Sequence, residues 1–131
     1  MLIGSISCND TSIDSSATAT SPTITVTTET FSGTVDVEGQ SIHQFTVSTS
    51  GTQVNVNLTA AGPPSTIYMG VGVGTYSNDT CTLLSNGSVL TQAAATAQLG
   101  GTVNAGSYCV MVYDAGNQTA RVTYTVVVNH Y

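Results

Sequence analysis

The chain has 131 residues, a formal charge of −6, seven acidic residues and one residue that is lysine or arginine, Arg121. One cation cannot supply the phosphate contacts that drive nucleic-acid binding, nor a polybasic attraction to anionic lipid, so both partner classes are excluded. Charged residues make up 6 % and hydrophobic residues 40 %, which excludes a charge-rich disordered tail and leaves solubility to Thr, Ser, Asn, Gln and Gly. The length fits one domain. Thr, Ser and Val dominate it, residues that suit a pleated, half-buried surface. The one helix-permissive stretch, Gln92 to Gln98, lacks the length and apolar periodicity of a stable helix.

Residues 1–22 read as a flexible, Ser/Thr-rich tether, because Asn9 to Pro22 offers too little apolar surface to offset the entropy of ordering. Within it, Gly4-Ser5-Ile6-Ser7-Cys8 resembles the end of a bacterial lipoprotein signal, in which a Cys after a small residue becomes the lipidated first residue. The resemblance makes Cys8 a candidate lipid anchor and implies a natural start upstream of Met1. Ser5 departs from the Leu usual at its position, and no basic and apolar run precedes it. The alternative is an ordinary unpaired cysteine. No segment is apolar enough over a sufficient length to form a transmembrane helix.

From Thr23 a period-two alternation of apolar and polar residues sets in, broken by turn signals. Thr23 to Thr28 reads as a first strand with Ile24 and Val26 on one face. Phe31, Gly33, Val35 and Val37 share one face of the next, and Glu38-Gly39-Gln40 turns the chain. His43, Phe45 and Val47 then alternate with Gln44 and Thr46, and Val54, Val56 and Leu58 with Gln53, Asn55 and Asn57. After Pro63-Pro64, the run Met69-Gly70-Val71-Gly72-Val73-Gly74 gives a strand with one face bare of side chains, which another segment or ring can approach closely. A phosphate loop fails here, since the sixth position of the dinucleotide fingerprint holds Thr75. Tyr76 to Thr80 is a polar turn, Cys81 to Leu84 a short strand, Asn86-Gly87 a turn and Val89 to Leu99 an irregular crossing. Gly100-Gly101 and Asn104-Ala105-Gly106 bracket Thr102-Val103. Ser107 to Tyr113 and Ala120 to Asn129 close the domain. Seven to nine short strands at this spacing predict an all-β fold, an antiparallel β-sandwich over residues 23–131.

Cys81 and Cys109 both fall in predicted strands while Cys8 lies in the tether, so Cys81–Cys109 is the expected disulfide, formed in an oxidising compartment. A thiolate metal site lacks the C-x-x-C spacing. No cofactor is expected. Calcium is the ion to consider, with Asp79 and Asp114 the acids nearest in strand order to the disulfide, although Asp and Asn also populate turns for conformational reasons. His43 reads as a partly buried structural histidine and His130 as an exposed one near the end. Arg121 reads as an outward-facing solubilising residue. No nucleophile elbow, H-E-x-x-H or paired-carboxylate signature is present.

Taken together, Phe31-Ser32-Gly33-Thr34-Val35, Ser41-Ile42-His43-Gln44-Phe45-Thr46-Val47, Val54-Asn55-Val56-Asn57-Leu58, Ala105-Gly106-Ser107-Tyr108 and Val122-Thr123-Tyr124-Thr125-Val126 resemble the pre-peptidase C-terminal (PPC) domain family over about 100 residues from Thr28 onward. The resemblance implies a jelly-roll-like sandwich carried by secreted bacterial proteins, often beside hydrolases and generally without catalytic residues of its own. Ser65 to Met69 departs from the acidic central strand common in that family, and no enzyme is attached within this sequence. The expected role is a non-catalytic, exported structural or interaction module at the bacterial cell surface, extracellular or in the envelope, with a protein or a glycan as partner. Two further readings are a carbohydrate-binding or adhesive module, with Tyr68, Tyr76 and Tyr113 as stacking residues, and a self-assembling fibre subunit. In the latter, Thr23 to Thr28 completes a neighbour's sheet.

Overall fold

The computed structural model describes residues 24–131. The tether expected over residues 1–22, and Cys8 within it, lie outside the described residues. Eight strands follow one another among those described: β1 (Thr27–Val35), β2 (Gln40–Val47), β3 (Thr52–Gly62), β4 (Met69–Ser77), β5 (Thr80–Thr91), β6 (Leu99–Val103), β7 (Gly106–Tyr113) and β8 (Val122–His130). They form two four-stranded sheets, ordered β1-β8-β3-β6 and β2-β7-β4-β5, in which every pairing is antiparallel. Only β4 and β5 form a hairpin within one sheet, and every other connection steps across to the opposite sheet. That winding is a jelly roll, the architecture the strand pattern predicts.

The alternation places its apolar set between the sheets. Val35, Val54, Val56, Leu58, Val71, Val110, Val112, Val122, Val126 and Val128 are each 3 % exposed or less. The outward face of the first sheet carries Thr28, Thr30, Ser32 and Thr34 of β1 beside Asn129, Val127, Thr125 and Thr123 of β8, in register. Neighbouring polar groups bond along these rows: Thr28 Oγ1 donates to Asn129 Oδ1 at 2.7 Å, and Ser32 and Thr125 share a hydroxyl contact of 3.2 Å.

Four local readings are corrected. Ile24 and Val26 belong to no strand and are 55 % and 48 % exposed, because β1 begins only at Thr27, where pairing with His130 begins. Val37 turns outward at 46 % exposure, since it sits in the β1–β2 turn beyond the last paired residue, Val35. Asn86-Gly87 does not end a strand: β5 runs through it, with the register slipping between Gly72 and Gly74 as Leu84 to Gly87 bulge out opposite Val73. Asn86 takes a positive φ of 57° there, a conformation asparagine tolerates better than most residues. Likewise Gly100-Gly101 lies within β6 rather than bounding it.

Candidate functional site

The two sheets meet at two long edges, β1 against β2 and β5 against β6. At the first, Ser41 and His43 take consecutive inward positions on β2. Tyr124 of β8 reaches them over Gly33 of β1, where a Cβ would come within 2.8 Å of its hydroxyl oxygen. The Tyr124 hydroxyl lies 2.5 Å from His43 Nε2 and 2.5 Å from Ser41 Oγ. Phe31 stacks on His43 with ring centroids 4.6 Å apart and planes 11° from parallel. Burial holds the His43 pKa below its ordinary value and raises that of Tyr124. A neutral imidazole accepting from the tyrosine, which accepts from the serine, satisfies all three groups. In that arrangement the serine hydroxyl bonds to the phenol, and the cluster closes the edge. His43 is partly buried, as its inward position on the alternation implies.

His130 corrects its expectation. It is buried at 4 % exposure, with Nε2 2.6 Å from Glu29 Oε2 and its ring 5.1 Å from that of Phe45. Position 130 continues the inward set Val122, Tyr124, Val126 and Val128, and the strand runs far enough to bury it. Arg121 is exposed as expected, and its Nε contacts Asp36 Oδ1 at 2.6 Å with both side chains about two-thirds in solvent, a pair worth little to stability.

On the other side of the molecule, the bare face of β4 is covered in three ways. The Tyr113 ring lies against Gly70, Leu83 lies against Gly72, and the backbone of Thr82 crosses Gly74, where a Cβ would be 2.2 Å from a carbonyl oxygen. Because β5 bends over β4 at Gly74, Cys81 of β5 reaches Cys109 of β7, two strands away in the sheet, and the two are joined as the expected disulfide with Cα atoms 5.8 Å apart.

Beyond this bend a cleft of about 200 Å³ opens between β5 and β6. Val54 and Val73 form its buried floor, and Leu84, Leu99 and Val103 its walls. It is open because of Gly101. That residue pairs in register with Val54 and so shares its inward face, yet a Cβ there would meet nothing within 4 Å. Its φ lies outside the left-handed range, so the backbone does not require glycine. No charged side chain lines the cleft. Its chemistry suits aliphatic side chains, and the outer edge of β6 offers main-chain donors and acceptors that pair with no strand of its own sheet.

The other expected site residues are dispersed. Tyr68 is 48 % exposed, near the β7 end that carries Tyr113, while Tyr76 sits at the far end of β4, about 20 Å along the strand from Gly70. Tyr113 is committed to Gly70 and the Tyr76 hydroxyl donates to Asp79 at 3.1 Å, so the three rings make no common stacking platform. Asp79 lies in the β4–β5 turn and Asp114 beyond the opposite end of β4, so the two acids do not meet. Asp114 is instead a backbone cap: one oxygen accepts from Glu38 N at 2.7 Å and the other from Gly116, Asn117 and Gln118 N–H groups at 2.8 to 3.2 Å. These bonds hold its carboxyl below the usual carboxylate range, the Glu38 bond contributing most. Among the described residues no group of three or more His, Cys, Asp and Glu is placed to hold a metal ion, and no helix is long and apolar enough to cross a membrane.

Gly100-Gly101 has the appearance of punctuation in the sequence and so conceals the cleft. Its signal is a glycine at an inward position of an otherwise alternating strand, which means a missing core side chain. The Ser41–His43 cluster had a signal too, polar residues at two consecutive inward positions of β2.

No family model matches the chain, and no curated protein matches it in sequence. Among solved structures, it is similar to the crystal structure of PliG from Aeromonas hydrophila, described as a periplasmic lysozyme inhibitor of g-type lysozyme. The identity is 12 %, the TM-score 0.43, and the match covers 77 % of this chain and 83 % of that one. At that identity and score the likeness assigns neither partner nor activity to this chain.

Proposed function

We propose that this chain is an exported, non-catalytic binding module of the bacterial cell envelope, a jelly roll of PPC-like type that holds a partner at the β5/β6 edge. The observation that carries the reading is the uncharged apolar cleft at Gly101, whose β5 wall is pinned to the sheet through Cys81. Binding surfaces gain from rigid support, because less ordering is needed on association. The disulfide supports export, since such bonds persist in oxidising compartments and are rare in the cytosol. Lipidation of Cys8 fits the same location.

Two measurements test it. Thiol alkylation of freshly fractionated cells is expected to find Cys81 and Cys109 oxidised in the envelope or medium, and reduced protein in the cytoplasm would overturn export. Incubation with generic peptide, ester and glycoside substrates is expected to give no turnover, and sustained hydrolysis by the pure chain would overturn the non-catalytic role.

A further inference from the structure

The cleft selects a particular kind of occupant. An added strand on the free edge of β6 would pair with its main chain while pointing every second side chain into the cleft, so the fitting ligand is an extended segment with aliphatic residues two apart. Charge selects too: a lining without ionised groups prefers a segment without them.

This chain carries such a segment. Ile24-Thr25-Val26 precedes β1, lies in no strand, holds no charge, and leaves two large aliphatic side chains 55 % and 48 % exposed. In extended form Ile24 and Val26 point to the same side with Cα atoms about 7 Å apart, the spacing between alternate inward positions of β6 such as Leu99 and Gly101. The segment is not paired as an extension of β1, which starts at Thr27, and Thr27 lies across the sheet from the cleft, with β8 and β3 between β1 and β6. Resting on the binding-module reading, we propose that the occupant of the cleft is the Ile24–Val26 segment of a second copy of this chain, added as a strand to β6 with an aliphatic side chain in the space left at Gly101. The contact is head-to-tail: donor and acceptor lie at different places on each copy, so association continues into rings or filaments.

The test is complementation between two variants in the full chain, with Cys8→Ser throughout to prevent adventitious disulfides. Gly101→Leu fills the cleft and keeps the donor segment. Ile24→Asp with Val26→Asp spoils the donor and keeps the cleft. Sedimentation velocity over a wide concentration range is expected to show concentration-dependent oligomers for the parent and association at least tenfold weaker for either variant alone. An equimolar mixture of the two is expected to recover complexes that stop at the dimer. High salt is expected not to weaken the association, because no ion pair holds it. Near-UV circular dichroism and an intact Cys81–Cys109 bond establish that each variant is folded. Independently of the leucine variant, a synthetic Pro22–Thr30 peptide titrated into the donor-deficient chain is expected to shift the amide resonances of Gly100 to Val103 and Leu84 to Gly87. A parent that is monomeric at every concentration, a mixture that does not recover dimers, or a peptide that leaves those amides unmoved would overturn the inference. None of those outcomes touches the export and turnover tests, so failure here is distinguishable from failure of the module reading.

Discussion

The two edges of the sandwich contain inward-facing glycines put to opposite use. At the β1/β2 edge, Gly33 makes room that Tyr124 fills, and Ser41, His43 and Phe31 close over it. At the β5/β6 edge, Gly101 makes room that nothing in the described residues fills. A missing side chain is thus a packing device on one side and an opening on the other. What distinguishes them is the neighbour across the gap: a large aromatic residue reaches into the first, while the second faces Val54, Val73 and a strand bent outward at Asn86-Gly87.

The largest expected effect falls on the frame behind the open edge. Cys109→Ser is expected to destabilise the domain by about 3–4 kcal/mol, the chain-entropy value for the loop it closes, as measured by urea denaturation. Gly74→Ala is expected to approach that loss, because its methyl group would strike the Thr82 backbone and push β5 away from Cys109. A fully oxidised Gly74→Ala protein with unchanged stability would show that the bend does not depend on that glycine. Next comes the closed edge: Gly33→Ala is expected to cost about 1–3 kcal/mol by displacing the Tyr124 ring. The comparison is sharpest against Gly101→Ala, which is expected to be neutral or to stabilise by about 0.4–1 kcal/mol through the unfolded chain. Equal losses from the two substitutions would dissolve the contrast between the edges.

Acid exposes the closed edge in a second way. Since burial lowers the pKa of His43 from 6.5, the unfolded chain binds a proton there more readily than the folded one. Stability is therefore fully present above 6.5 and falls as pH drops from that value toward the folded pKa. His43→Phe is expected to remove that part of the slope in melting temperature against pH, and an unchanged slope would place the acid sensitivity elsewhere. The smallest of the expected losses falls on Asp114→Ala, a drop of a few degrees in melting temperature, since its carboxylate joins the β7–β8 loop to the β1–β2 turn away from both edges.

The fold was legible because its signal is repeated. Inward and outward sets alternate cleanly in β2, β3 and β8, and a one-residue slip would turn every valine of such a strand to solvent. The disulfide followed from two cysteines in strands, and the close approach to β4 from its alternating glycines. Individual glycines were harder, since the same Gly-Gly or Asn-Gly pair serves as a turn, a bulge or an inward gap according to the strand opposite. At His130 the alternation of β8 outweighs nearness to the end of the sequence, and the side chain is buried. The candidate cation ligands failed for a related reason: strand order brings Asp79 and Asp114 near the disulfide in sequence, while β4 holds them at opposite ends. The cleft was invisible as a site because it is made of what a residue lacks.

The outward face of the first sheet adds a different kind of property. Threonine, serine and asparagine dominate it, two of their cross-strand pairs bond, and no ionised group stands on this face of β1 or β8. Such a wall neither sheds water as an apolar face does nor responds to pH or ionic strength as a charged one does. The broad side of the molecule is in this respect indifferent to changes in salt and acidity.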